Sequence, residues 1–266
     1  MPITLEGGCR VSDLREGEPR INGTLRIWNQ IGRATGAQAI SLRILEFAPG
    51  LSPGIRSDCD EILYVLGCWE RGHPDGLSEQ GERRLAQVLS NGHSSDIDPD
   101  TGIYVRPGAT FAINNPGPDS IVVVSCRCPE PATKQEFVTP VTTPSDFAPH
   151  KLPLVRLADR PAQPTADRWY RVLVDDEVGS TQATQFVGSI PPGRAPDHFH
   201  NYEEVLFILK GQGRMWAGET NAPIAPGSCI YLPKGQVHCV ENTGEGELRL
   251  LGVFYPAGSP SVRYDV

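Results

Sequence analysis

Gly193-Arg-Ala-Pro-Asp-His198-Phe-His200-Asn-Tyr-Glu-Glu204-Val-Leu-Phe-Ile-Leu-Lys-Gly211 carries two histidines two residues apart and a carboxylate at the head of an apolar run. Residues two apart on a strand face the same side, so a barrel wall would aim both imidazoles inward. The short Asn201-Tyr-Glu203 link lets Glu204 begin an adjacent strand near the same point. Glu203 has the opposite parity and is expected to face solvent. Downstream, Gly227-Ser-Cys-Ile-Tyr-Leu-Pro233-Lys-Gly235-Gln-Val-His238 uses Pro and Gly for a tight turn and sends His238 back along a strand. A third imidazole can thereby join the cluster.

Working outward, the same pattern occurs twice. Pro49-Gly50 is followed eleven residues after the glycine by Glu61-Ile-Leu-Tyr-Val-Leu-Gly67, as Pro192-Gly193 is by Glu204. Ile103-Tyr-Val-Arg-Pro-Gly108 matches Ile230-Tyr-Leu-Pro-Lys-Gly235, each followed seven residues later by Asn115 or Asn242. Two matched blocks in the same order predict two copies of one module. The 28 glycines and 25 prolines punctuate short β-branched and aromatic runs such as Ile121-Val-Val-Val124 and Leu248-Arg-Leu-Leu251, an all-β pattern. Eight prolines between Pro129 and Pro164 mark a connector. The expected division is a first barrel at 1–130 with an insertion at about 70–100, a connector at 131–165, and a second barrel at 166–266. Ser78 to Leu89 could form a short helix within the insertion.

These residues resemble the cupin superfamily. Gly193, His198-Phe-His200, Glu204 and Gly211 look like its first motif, and Gly227, Pro233-Lys-Gly235, His238 and Asn242 look like its second. A four-residue gap between Gly193 and His198 is one residue shorter than the usual pattern and removes no ligand. The resemblance implies an all-β chain of two double-stranded β-helix (cupin, jelly-roll-like) barrels in tandem, a bicupin. It also implies a metal inside the second barrel.

Three neutral imidazoles and one carboxylate suit one divalent transition metal, whether Mn, Fe, Co, Ni, Cu or Zn, and suit Ca or Mg poorly. The expected ligands are His198, His200, Glu204 and His238, with Glu204 also a candidate catalytic base. The same register in the first half sets Ile55 and Ser57 opposite His198 and His200, and Phe111 opposite His238; Glu61 alone persists. Arg56 and Asp58 fall on the other face. The first barrel is therefore expected to lack a metal. His73, His93 and His150 read as ordinary residues, and Asn242 as a turn or strand-end residue. Trp216, Tyr231 and Phe254 read as core, and the seven cysteines as reduced, packed thiols. Tyr202 and Gln185 are candidates for contact with the ligands or a substrate.

Twenty-four basic against 32 acidic residues give no electropositive surplus for nucleic acid. No segment nears the roughly 20 apolar residues of a membrane helix, so neither nucleic acid nor membrane is expected as a partner. A cytoplasmic protein acting on a small-molecule substrate is expected, and exposed edge strands suggest a homodimer. Within the family resemblance, a dioxygenase is the first functional expectation. The alternatives are a hydrolase, isomerase or decarboxylase with an architecture like ureidoglycine aminohydrolase, or a non-catalytic binding or sensing bicupin.

Overall fold

In Ile121–Cys128, Ile121 and Val123 point into one apolar cluster while Val122, Val124, Cys126 and Cys128 point into another. A strand covered on both faces is apolar throughout, and this one lies at the centre of a large antiparallel sheet. The computed structural model describes residues 1–69, 85–130, 135–144, 151–262 and 264–265.

Each half builds one barrel from two sheets, and the halves match strand for strand. In the first, Thr101–Val105, Asp60–Gly67, Ile121–Cys128, Ser41–Phe47, Leu25–Ile31 and Arg20–Asn22 run side by side in that order. In the second, Ser228–Leu232, Glu203–Lys210, Leu248–Tyr255, Thr184–Ile190, Arg168–Val174 and Gln163–Thr165 do the same. The smaller sheets also correspond: His93–Ile97, Ala86–Ser90, Thr110–Asn115 and Gly54–Arg56 parallel Thr220–Ile224, Gly213–Ala217, His238–Asn242 and His198–Phe199.

Three apolar clusters follow from this layout. One, with Leu63, Phe111 and Val123, fills the first barrel. Another, with Met215, Ile230 and Leu250, fills the second. The third lies between the large sheets and joins Trp28, Tyr64 and Val124 of one barrel to Phe207, Tyr231 and Val253 of the other. Each large side chain buried in this seam contributes about 1.5–3 kcal/mol. The barrels therefore pack as one body.

Strand pairing divides the chain differently from the expected 1–130, 131–165 and 166–266. Arg10–Asp13 pairs with Ser228–Leu232, and Leu5, Cys9 and Val11 pack inside the second barrel. Reciprocally, Leu154–Arg156 pairs with Thr101–Val105, and Glu136–Val138 with Gly54–Arg56, both in the first barrel. Each outer strand needs a backbone partner, and each takes it from the segment leading into the opposite module. The prolines of the connector thus flank short pairing segments.

The helix expected over Ser78 to Leu89 is also corrected where it can be seen. Ala86–Ser90 is a strand, with Ala86, Val88 and Ser90 buried in period-two alternation against Thr110–Asn115. Residues 78–84, like His73 and His150, lie outside the described residues. The hairpin Ala86–Ile97 matches Gly213–Ile224, so the extra length of the first copy falls between Gly67 and Ala86 rather than across 70–100. Among the described residues, no helix is long and apolar enough to cross a membrane.

Candidate metal centre

His198 and His238 are direct cross-strand partners, as Ile55 and Phe111 are in the first barrel. Gly235 adopts φ 78°, a left-handed turn that favours glycine, and its N–H donates to the carbonyl of His200 at 2.7 Å. That turn brings the strand of His238 back beside His198-Phe-His200. The ligand nitrogens of His198, His200 and His238 all lie within 4.8 Å of one another, and the ring centroids are 4.6–5.2 Å apart. His200 Nε2 is 3.4 Å from Glu204 Oε2.

Several features orient this cluster. Nδ1 of His198 meets the carbonyl of Pro196 at 3.0 Å, and Nδ1 of His238 meets that of Gln236 at 2.8 Å. A carbonyl accepts, so both rings carry their proton on Nδ1 and present a lone pair at Nε2. His200 is stacked on Tyr202 at 4.7 Å, and Tyr202 stacks in turn on Phe254 at 4.7 Å. Tyr202 thus positions a member of the cluster.

Burial sets the charge states. It lowers His200 to about 3 and His238 to about 4, with repulsion from neighbouring imidazoles as the second cause. The same desolvation raises the Glu204 carboxyl to about 8. The neutral imidazoles of His200 and His238, with that of His198 beside them and the Glu204 carboxyl group against His200, form a donor set that fits a divalent transition ion. The histidine triad could hold such an ion.

A cavity of about 140 Å³ opens on the cluster. Its walls are largely apolar, with Phe186, Ile190, Leu206, Leu232 and Leu250 alongside the imidazoles, and Thr165, Arg168, Trp169 and Ser261 also on the lining. Phe186, Trp169 and Arg168 were absent from the sequence reading, because their strands carry no motif. Phe186 fits because position 252 is glycine: a Cβ there would come within 2.3 Å of the ring.

Other expected neighbours lie elsewhere. Trp216 donates to Glu241 at 2.8 Å beneath the Arg194 guanidinium. Tyr231 belongs to the seam, and Phe254 is core beside the cavity. Gln185 is buried and donates across the seam to the carbonyl of Leu63 at 3.4 Å, away from the cluster. Asn242 bridges a turn, donating to the carbonyls of Ile190 and Gly246. The seven cysteines are buried thiols.

Glu203 requires a correction. It does not face solvent: its relative exposure is 7%. Its carboxylate accepts from the backbone N–H groups of Gln38 and Ala39 at 2.9 and 2.6 Å and from the Tyr231 hydroxyl at 2.6 Å. The outer face of its strand is covered by the other barrel.

In the first barrel, the carboxylate corresponding to Glu204 is Glu61, and it is fully buried. There the Arg43 guanidinium lies directly on Glu61, while Ser57 and Ser125 donate to the same carboxylate at 2.6 and 2.7 Å. Arg56 instead pairs with Glu136 on the outside.

A double-stranded barrel with imidazoles and a carboxylate on its inner wall defines a cupin. The cupin domain family matches residues 186–254, which contain the cluster. The chain belongs to the cupin superfamily and carries two of its barrels. Auxin-binding protein 1 of Arabidopsis thaliana is 36% identical over 70 residues, covering 23% of this chain and 35% of that protein. An uncharacterized protein of Aquifex aeolicus is 33% identical over 86 residues, covering 31% and 69%. The oxalate-binding protein of Thermotoga maritima is 35% identical over 66 residues, covering 24% and 54%. The chain thus spans about a third to two-thirds of the length of these curated relatives. Among solved structures, oxalate decarboxylase of Bacillus subtilis superposes with a TM-score of 0.68 at 14% identity, covering 92% of this chain and 76% of that one. A glyoxylate-induced protein of Pseudomonas aeruginosa gives 0.70 at 16%, covering 96% and 91%. These likenesses support a metal-dependent cupin and do not single out a dioxygenase.

Proposed function

We propose that the second barrel is the catalytic site of a metal-dependent enzyme acting on a small carboxylic acid. The observation that carries this reading is Arg168, whose Nε donates to Asp167 at 3.0 Å, on the wall of the same largely apolar cavity that the histidine cluster lines. Arg168 is the one lysine or arginine lining that cavity among the described residues. A guanidinium recognises a carboxylate through paired N–H groups, and apolar walls strengthen the attraction by excluding water. His198, His200, His238 and Glu204 would hold a divalent transition metal, which supplies a Lewis acid when bound. Arg168 orients the anionic end of the substrate, and Phe186, Leu206 and Leu250 exclude bulk water from its other end. The names of two similar proteins, an oxalate-binding protein and an oxalate decarboxylase, agree with this substrate class.

The reaction class is then a decarboxylation, hydrolysis or isomerisation. The test is turnover of small mono- and dicarboxylates by metal-reconstituted protein with and without dioxygen, in wild type, Arg168→Met and His238→Ala. Anaerobic turnover lost in His238→Ala, with a raised KM in Arg168→Met, supports the proposal. Turnover strictly coupled to oxygen uptake would instead make the protein a dioxygenase, the class first expected within the family resemblance. Turnover indifferent to His238→Ala removes the second barrel as the catalytic site.

A further inference from the structure

We infer that the mouth of the first barrel is a second, metal-independent binding site for a small carboxylate that also carries a hydrogen-bond donor. A cavity of about 320 Å³ opens there, within the size range of small-molecule sites. Arg43 and Arg127 line it, with Glu130 and Gln135 beside them and Arg20 and Arg33 also on its lining.

Charge in this cavity is poorly balanced. Arg43 is committed to Glu61 through one terminal nitrogen, which also donates to Ser125 at 2.9 Å, and to the Gln135 side-chain oxygen through the other. Arg127 has Glu130 at 3.9 Å, an ion pair too long for a hydrogen bond. Burial lowers Arg43 to about 10 against the opposing attraction of Glu61, and repulsion between the Arg43 and Arg127 guanidiniums adds to the lowering. An anion between them would relieve that repulsion.

The second observation is independent of charge. Among the described residues, five buried polar atoms of side chains on this cavity's lining are without a hydrogen-bond partner: Ser41 Oγ, Arg43 Nε, Arg127 Nε, Gln135 Nε2 and Glu130 Oε2. Buried polar atoms in folded proteins are nearly always paired, so exceptions concentrated on the side chains around one cavity fit an occupant that reaches them as those side chains turn. Three of the five are N–H donors, which a carboxylate can satisfy, and Ser41 Oγ can donate or accept. Glu130 Oε2 is an acceptor and calls for a donor on the same molecule, as in an amido or 2-hydroxy acid. Arg43 sits on Glu61 where the second barrel has its imidazoles against Glu204, so this site needs no ion.

The probe is oxamate, a carboxylate with an adjacent amide, titrated calorimetrically into the chelator-treated full chain, with acetate as the control lacking the donor. The inference expects one oxamate site that persists in His238→Ala, with at least tenfold weaker binding in Arg127→Met and Gln135→Leu and weaker binding of acetate. Metal content, measured before chelation, should be unchanged by Arg127→Met. This separates the site from the metal-dependent reading of the second barrel. If Arg127→Met does not fold by circular dichroism, Gln135→Leu alone decides. Absence of oxamate binding, or binding lost in His238→Ala and retained in Gln135→Leu, overturns the inference.

Discussion

Glu203 and Glu204 are consecutive residues on one strand, and their carboxyl groups serve opposite sides of it. Glu203 enters the seam between the barrels, where the amides of Gln38 and Ala39 and the Tyr231 hydroxyl donate to it. Glu204 enters the second barrel beside His200. Asp60 and Glu61 repeat the arrangement, with Tyr104 donating to Asp60 and Arg43 lying on Glu61. In each barrel, an acid that accepts from a buried tyrosine is thus adjacent to the inner carboxylate, and Glu203 is the one that also takes backbone amides of the other barrel.

That adjacency predicts the behaviour of Glu203→Ala. Two backbone N–H groups and a hydroxyl lose their acceptor, which costs about 1–3 kcal/mol for each buried donor left unsatisfied. Thermal denaturation should show a loss of several kcal/mol in total. Metal affinity should also weaken, because the strand carrying Glu204 is no longer fixed to the first barrel. An unchanged melting temperature would show that the seam does not depend on this carboxylate.

The metal centre makes a stricter prediction. Wild type purified without added metal should contain about one transition ion per chain, and His198→Ala and His238→Ala should lose it. Tyr202→Ala removes no ligand but takes away the ring stacked on His200, and should weaken binding by roughly 10–100-fold, as loss of support around a ligand does. Elemental mass spectrometry on the four proteins is the measurement, and equal metal content in all four contradicts this assignment.

Removing the metal exposes the electrostatics of the site. Burial raises the Glu204 carboxyl from 4.5 to about 8, so the metal-free fold favours its protonated form. The associated stability is fully present below about pH 4.5 and is lost as pH rises to about 8. His200 and His238 have lowered values, so their contribution is present above about pH 6.5 and falls as pH drops toward 4 and 3. Chelated Glu204→Gln should therefore match chelated wild type near pH 4 and exceed it in stability, by on the order of several kcal/mol, at pH 9. Denaturant unfolding at the two pH values tests this, and a difference of the opposite sign would falsify the assigned burial cost.

Much of this architecture was legible in the sequence because it rests on spacing. The eleven residues from Gly50 to Glu61 and from Gly193 to Glu204 reveal the repeat, and the pairs Ile55–Phe111 and His198–His238 occupy one register position. Strand alternation assigns side chains to faces, however, and does not say what covers a face. Glu203 was read as solvent-facing for that reason. The exchange of Arg10–Asp13 and Leu154–Arg156 between barrels was equally hidden, since a short strand carries no mark of its partner. Arg43 escaped notice because it lies four residues before Phe47 in an apolar strand, outside either motif.

Gly252→Ala is the remaining test, and it addresses the shape of the cavity rather than its chemistry. A Cβ at position 252 would meet Phe186 Cε1 at 2.3 Å and Cζ at 2.4 Å, closer than any packed side chain tolerates. The 252 backbone is held in the strand Leu248–Tyr255 between two neighbours, so the Phe186 ring has to move. Phe186 lines the cavity, and a ring displaced into its roughly 140 Å³ would take space a substrate needs. Overpacking of this kind costs about 1–3 kcal/mol. The expected result is a moderately destabilised protein with full metal content and a KM raised more than kcat is lowered. The double variant Gly252→Ala/Phe186→Leu should recover much of the binding, because the smaller side chain removes the clash. If the single variant turns over normally, Phe186 does not bound the substrate. If it loses its metal as well, the ring is packed against the histidine cluster more tightly than the wall of a cavity would be.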